Sequence, residues 1–415
     1  VSGASGTTGS AARERIGVDV RQVSLPAGHP VAKLSLAAAV AGAVALAVAW
    51  ALGGPRFYSS YLTAYLFFLT LALGGLVFVL LQFVTRAGWS VAVRRLAEHV
   101  MGTLPLFLVL FVPVIIGMGD LFPWAVGEGG GEHEALVGSK ALWLQPGSWI
   151  LRSAVYLVLW SVLGWWFRRQ SIGQDRHPDP GVTRRLQIAS APGLVVFGVT
   201  VTLASFDWVM SLDPHWYSTI FGVYVFAGAV VGILALVVVL SVALERRRGP
   251  LAGIVTPEHY HDLGKLLFGF VVFWAYIAFS QFMLIWYGNL PEETVWYRQR
   301  FEHGWYPVSV AVAVGCFVVP FFFLLGRDVK RNRLTLTAAA VWLLVFHYVD
   351  VYWLVMPSAL SVDPGGGFHP HWLDLLTLVA VGGLFAGAVG RLMAGPALVP
   401  VADPRLPESL SFENM

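Results

Sequence analysis

The groups able to do chemistry in this chain are ionisable side chains set inside or beside long apolar runs. HYVDVYWLVMP, beginning at His347, puts His347 and Asp350 three residues apart, on one helical face and close enough to interact. HYHDLGKLLFGFVVFWAYIAFSQFMLIWYGNLPEET, beginning at His259, repeats Asp262, Lys265, Gly269, Tyr276, Ser280 and Tyr287 near helical spacing, a polar stripe running most of the way along one apolar segment. FDWVMSLDPHWYSTIFG, residues 206–222, interrupts two oily runs with Asp207, Asp213 and His215, which the pattern places at the outer water boundary. Glu98 and His99 follow Arg94 and Arg95 by about one turn. Histidines and carboxylates at such spacings pass protons along hydrogen-bonded chains. Structural roles fit the same residues: Arg94 and Glu98 are i,i+4 and can form an internal ion pair, Asp213 can cap the helix that follows Pro214, and a lone histidine is most often a satisfied core group.

These residues need a frame, and composition says that it lies in lipid. Of 415 residues, 57% are hydrophobic and 12% charged, and the mean hydropathy is +0.70. Such a chain has more apolar surface than a water-soluble core can hide. Crossing roughly 30 Å of hydrocarbon takes about 20 apolar residues. Ten segments qualify: Val31 to Leu52, Tyr58 to Val84, Val91 to Ile116, Ser148 to Phe167, Ile188 to Phe206, Tyr217 to Leu244, His261 to Ile285, Pro307 to Leu325, Leu334 to Val355 and Trp372 to Leu392. All are expected to be helical, because strand alternation is missing and open sheet edges cannot be satisfied in lipid.

Charge sets the orientation. All but five of the 27 lysines and arginines fall in the N-terminal tail, in the loops after the second, fourth, sixth and eighth segments, or near the C-terminus. The exceptions are Arg56, Lys140, Arg152, Arg298 and Arg300. The positive-inside rule then puts both termini in the cytoplasm. Residues 1–30 read as a disordered cytoplasmic tail, 31–395 as the ten-helix membrane domain and 396–415 as a cytoplasmic C-terminal tail. The GEGGGEHE stretch in the long outer loop reads as a flexible acidic insert.

Eleven of the 17 tryptophans fall at or beyond the outer ends of the segments, which points either to an ordered outer surface for a partner protein or to a membrane-interface belt with ordinary loop packing. The net charge of +3, sorted by side, argues against nucleic acid. A single cysteine, Cys316, rules out a disulfide framework, a thiolate iron–sulfur cluster or a CxxCH haem site within the chain. His99, about 12 Å into its segment, and His347, about 20 Å into its own, differ in depth too much for paired haem ligation. No bound metal is expected.

The three quoted blocks, FDWVMSLDPHWYST, HDLGKLLFGFVVFWAYIAFSQFMLIWYGNLPEET and HYVDVYWLVMP, resemble the NrfD-like membrane subunits of alternative complex III, a quinol to cytochrome c or other high-potential acceptor oxidoreductase, and among them the ActF type. The resemblance covers nearly all of segments five to ten and, more loosely, one to four. It implies two four-helix bundles with two additional helices. It further implies a sister NrfD-like subunit and outer-face iron–sulfur and haem c subunits as partners, with menaquinol oxidised near the outer face mainly in the sister. This chain would then be a membrane scaffold without a redox centre of its own, supplying proton half-channels. Carried onto the matching positions, the resemblance marks Asp207, Asp213, His215, Asp262, Lys265, Tyr276, Ser280, Gln281, His347 and Asp350; Glu98 and His99 rest on segment chemistry alone. A proton-coupled secondary transporter and a purely structural membrane anchor are the alternative readings of the same carboxylates. A transporter would usually show internal repeats and paired interrupted helices, and Pro113 and Pro320 do not fall at matching positions.

Overall fold

A computed structural model of the chain describes residues 20–25, 29–126, 143–246, 249–359 and 367–413. The GEGGGEHE insert and most of the N-terminal tail lie outside the described residues. Ten helices are long and apolar enough to cross a membrane, and the chain is an all-α, multi-pass integral membrane protein. The spans are Pro30–Gly53, Arg56–Val84, Val91–Ile116, Pro146–Arg176, Pro180–Leu212, Phe221–Glu245, Pro257–Gly288, Tyr306–Leu325, Arg333–Ser358 and Trp372–Met393, numbered one to ten below. An additional helix, Pro291–Phe301, joins spans seven and eight. One end of the molecule collects the arginine clusters and the other the tryptophans; they are called here the basic end and the aromatic end.

Local chemistry sets where the helices begin. Proline opens spans one, four, five and seven, where its missing N–H costs no hydrogen bond. Side-chain caps accept orphan amides: Asp179 takes the Gly181 N–H at 2.8 Å, and His371 and Asp374 form a reciprocal capping box at the start of span ten. Two spans are irregular. Span three breaks after Met101 and again after Leu110, with Pro105 and Pro113 just inside the pieces that follow. Span eight loosens into a π-helical turn at Val314–Val318, directly before Pro320.

Packing divides the spans as the resemblance implies. Spans two to five form one four-helix bundle and spans six to nine a second, while spans one and ten pair with each other and lean on span two. The bundles meet where span two lies against spans six and nine, so span two is enclosed along almost its whole length. That approach is close: a Cβ on Gly74 would stand 2.3 Å from the carbonyl oxygen of Ala229. Lipid tails give no hydrophobic drive between helices, so small residues that let backbones touch take over that role. The same device holds the outlying pair. A Cβ on Gly383 would lie 2.6 Å from the Ala38 oxygen, and one on Gly387 2.8 Å from the Ser35 oxygen. The Gly383/Gly387 face and the alanine-rich span one therefore meet within the chain.

The C-terminal segment is not a loose tail. Residues after span ten fold back over the basic end, where Leu398 N donates to Val23 O at 2.8 Å and Asp403 pairs with Arg94 at 2.6 Å. Ser409 Oγ donates to Trp89 O at 2.7 Å and lies 3.3 Å from His259 Nε2.

Replacing Gly383 by leucine must push spans one and ten apart, at a cost of about 1–3 kcal/mol. The expected result is a lower unfolding temperature for the purified protein in detergent. Gly269→Leu, at a position with nothing within 4 Å, should leave that temperature unchanged.

Candidate functional site

His347 and Asp350 sit inside the second bundle, with His347 reaching span two where the bundles meet and Asp350 about 12 Å in from the aromatic end of span nine. Both are buried. His347 Nε2 lies 2.9 Å from Thr70 Oγ1 of span two, and that hydroxyl gives its own proton to Phe67 O at 2.8 Å. When that hydroxyl donates to Phe67 O it accepts from the imidazole, the arrangement in which His347 carries its proton on Nε2 and presents Nδ1 as an acceptor. Asp350 Oδ1 accepts from the Tyr224 hydroxyl of span six at 2.5 Å, and Trp274 of span seven packs on the Tyr224 ring. A cavity of about 10 Å³ separates the histidine from the carboxylate, lined by Gly228, Val231, Trp274, Cys316 and Leu343 besides the pair itself.

What marks Asp350 is its company. Glu98 is held by Arg94 at 3.2 Å and Arg95 at 2.9 Å, Asp207 by Arg152 at 2.8 Å, Asp374 by Arg56 at 3.3 Å and Asp403 by Arg94. Among the described residues Asp350 is the buried span carboxylate with no cationic partner, and its neighbours are a phenol, an indole and a histidine. A charge in that position is not neutralised by an adjacent charge, so a proton is the species that can neutralise it.

The other expected site residues separate into distinct settings. Glu98 and His99 belong to a buried network at the basic end that also contains Ser171, Asp175 and Arg168. Ser171 Oγ donates to Glu98 Oε1 at 3.0 Å, Arg95 pairs with Asp175 at 2.8 Å, and Arg168 lies 3.5 Å from His99 Nδ1. Three arginines and three carboxylates nearly balance here, which is the internal ion pairing that the Arg94/Glu98 spacing foreshadowed.

Asp207 is not at the water boundary. It is fully buried beneath the tryptophans, where Arg152 grips both oxygens, Tyr156 donates at 3.0 Å and Trp149 Nε1 takes the Asp207 backbone oxygen at 2.7 Å. Every acceptor is engaged, so Asp207 fastens span five to span four. Asp213 and His215 line a cleft of about 550 Å³ with Trp216, Glu292 and Glu293. Asp213 caps its own turn, accepting from His215 N at 3.2 Å, and span six begins later, at Phe221, without a side-chain cap.

The span-seven stripe points the other way from the His347/Asp350 pair. Asp262 pairs with Lys265 at the basic edge, Tyr276 is 65% exposed on the outward face, and Ser280 is only half-buried. Trp274 and Gln281 are the inward residues of this span. Gln281 donates to the Tyr297 hydroxyl at 3.2 Å and accepts from Ser218 at 3.0 Å, and Ser218 follows Tyr217 of the cleft wall in the chain. Above it, Arg300 lies buried against the Trp296 ring, 3.4 Å from the centroid, and donates to the last carbonyls of span nine, Trp353 O at 3.2 Å and Leu354 O at 2.8 Å. Burial draws the Arg300 pKa down to about 9, opposed by the nearby Asp213 charge, which leaves it cationic at neutral pH.

Thr70, Tyr224 and Gly228 were not singled out in the sequence, and Arg300 figured there only as one of the outer basic residues. Gly228 and Gly232 are four apart, a spacing that signals a close helix contact, and a Cβ on either would stand 3.1 Å from the His347 ring. Most of the outer tryptophans also serve the interior. Trp124, Trp149, Trp208, Trp216, Trp296, Trp305 and Trp353 are buried, and Trp216 stacks on Trp296 at 4.4 Å. Among the described residues no group of three His, Cys, Asp or Glu side chains could hold a metal ion.

Comparison with protein-family models and with curated proteins finds no match to this chain.

Removing Asp207 alone strands the Arg152 guanidinium under the tryptophans, so Asp207→Ala should cost about 3–5 kcal/mol. The double variant Arg152→Met/Asp207→Ala should recover much of that loss. Unfolding of the four members of this cycle in detergent checks the coupling, and equal losses for single and double variants would show that the pair is not the fastener.

Proposed function

We propose that this chain is the proton-handling membrane subunit of a quinol-oxidising electron-transfer assembly, of the NrfD-like kind that its three sequence blocks resemble. The observation that carries the proton part is Asp350, a carboxylate buried inside the second bundle with no cationic side chain paired to it, beside a histidine that lines the same cavity. A neighbouring imidazole and phenol suit a group that gains and loses a proton. In this reading the aromatic half of the molecule is the exit leg. The Tyr224 hydroxyl follows Asp350, and Tyr297, Gln281 and Ser218 lead to the cleft that holds Asp213 and His215. Tyr276 and Ser280 have no place in it, because the stripe they belong to faces outward.

The remaining parts of the reading rest on sequence pattern. Sorting of lysine and arginine supports a cytoplasmic basic end, and the family resemblance supports a bacterial inner membrane. The single cysteine leaves haem c and iron–sulfur centres to partner subunits, with quinol oxidised mainly in a sister subunit. A transporter fits less well. The interrupted helices are span three, second in its bundle, and span eight, third in its bundle, so they are not equivalent positions. A purely structural anchor accounts for Asp207, Glu98 and Asp374, which are ion-paired, and gives no reason for Asp350.

Purification of the tagged chain from its native membrane tests the assembly, and Asp350→Asn tests the path. The expected outcome is recovery with haem c and iron–sulfur proteins, and quinol-driven proton release that falls about tenfold or more in Asp350→Asn with assembly unchanged. Recovery without redox proteins would remove the respiratory reading, and an unchanged proton-to-electron ratio would remove Asp350 from the path.

A further inference from the structure

We infer that one bound water bridges His347 Nδ1 and Asp350 Oδ2, and that this water is the link through which the two side chains exchange a proton. The inference rests on the proton-handling reading for the exchange, but the water site itself follows from packing. The cavity between the two residues, about 10 Å³, has room for a single water. Polar atoms converge on it from one side of Gly228. A Cβ built there would stand 3.3 Å from His347 Nδ1 and 3.9 Å from Asp350 Oδ2, so both atoms face the space that glycine leaves open.

The hydrogen bonds around the cavity fix the water's orientation. With Thr70 donating to Phe67 O, Nε2 of His347 donates to Thr70 and Nδ1 accepts; ionised Asp350 offers acceptors only, and already receives the Tyr224 hydroxyl at Oδ1 and a hydrogen bond from the Trp274 side chain. A water is the small molecule that can donate to both, one hydrogen to each. Cys316 lines the same cavity, with its S–H donated to Phe346 O at 3.5 Å. Cys316 stands there because span eight opens into its π-helical turn, pinned by the Trp342 Nε1 bond to Gly315 O at 2.9 Å. Exchange then balances without a further reactant. A proton on Asp350 Oδ2 passes to the water oxygen as one water proton passes to His347 Nδ1, leaving carboxylate, the same water and imidazolium.

Two substitutions separate the water from the side chains it serves. Gly228→Ala places a methyl in the site and keeps every titratable group; Val231→Ala widens the cavity and should keep the water. The full chain in lipid nanodiscs, imaged by cryo-electron microscopy at a resolution that shows waters, should give density between Nδ1 and Oδ2 in wild type and Val231→Ala and none in Gly228→Ala. The ¹⁵N resonance of His347 Nδ1 should report an unprotonated acceptor, shifted in Gly228→Ala alone. A direct Nδ1 to Oδ2 contact, or a proton resident on Nδ1 in the neutral ring, overturns the site. Loss of the water density in Gly228→Ala together with wild-type proton release by that assembly overturns the exchange role. An inert Asp350→Asn with water density present instead defeats the functional reading and leaves the water site standing.

Discussion

A charge taken into hydrocarbon has to find its counter-charge inside the same chain, and that constraint organises this molecule. Water is not at hand to solvate an ion there, and an uncompensated one costs several kcal/mol. The chain answers with pairs that also do mechanical work. Arg152 and Asp207 tie spans four and five under the tryptophans, Arg56 and Asp374 tie spans two and ten, and Arg94, Arg95, Glu98, Asp175 and Asp403 knit span three to span four and to the C-terminal segment. Asp350 departs from this pattern. None of its neighbours carries a fixed charge, so its protonation state can change without breaking an ion pair that ties two spans.

Close approach of the bundles makes that departure possible. Gly74 lets span two reach the backbone of span six, and Gly228 and Gly232 make room on span six for the His347 ring. Larger residues would hold the helices apart and break the reach from Thr70 to His347 and from Tyr224 to Asp350. The polar centre and the helix packing are thus one arrangement, built from contacts among spans two, six and nine, with span eight supplying Cys316 from its loosened turn.

Spans were legible in the sequence because lipid imposes a length and a composition on each of them, and the ten segments needed no tertiary information. The His347/Asp350 pair was legible for a related reason, since helical periodicity places i and i+3 on one side. Direction was not. The span-seven residues Tyr276 and Ser280 recur at helical spacing, but a polar stripe does not say whether it looks into the bundle or out of it, and Trp274 and Gln281 took the inner face. Asp207 was misplaced because span five continues to Trp208 and into a tight turn ending at Leu212, beyond the expected end at Phe206. Arg152, a lone arginine near the start of another span, carried no local hint that it would reach Asp207. The tryptophans were an ambiguous signal because indoles crowd both interfaces and interiors; here the stacked Trp216 and Trp296 pair and its neighbours are mainly an interior.

The C-terminal segment touches both halves of the protein, Asp403 on span three of the first bundle and Ser409 beside His259 on span seven of the second. It behaves as a staple across the arginine-rich face. Any rocking of one bundle against the other is then pivoted there, with displacement growing toward the opposite face, where the cleft beside Asp213 lies between segments drawn from both halves.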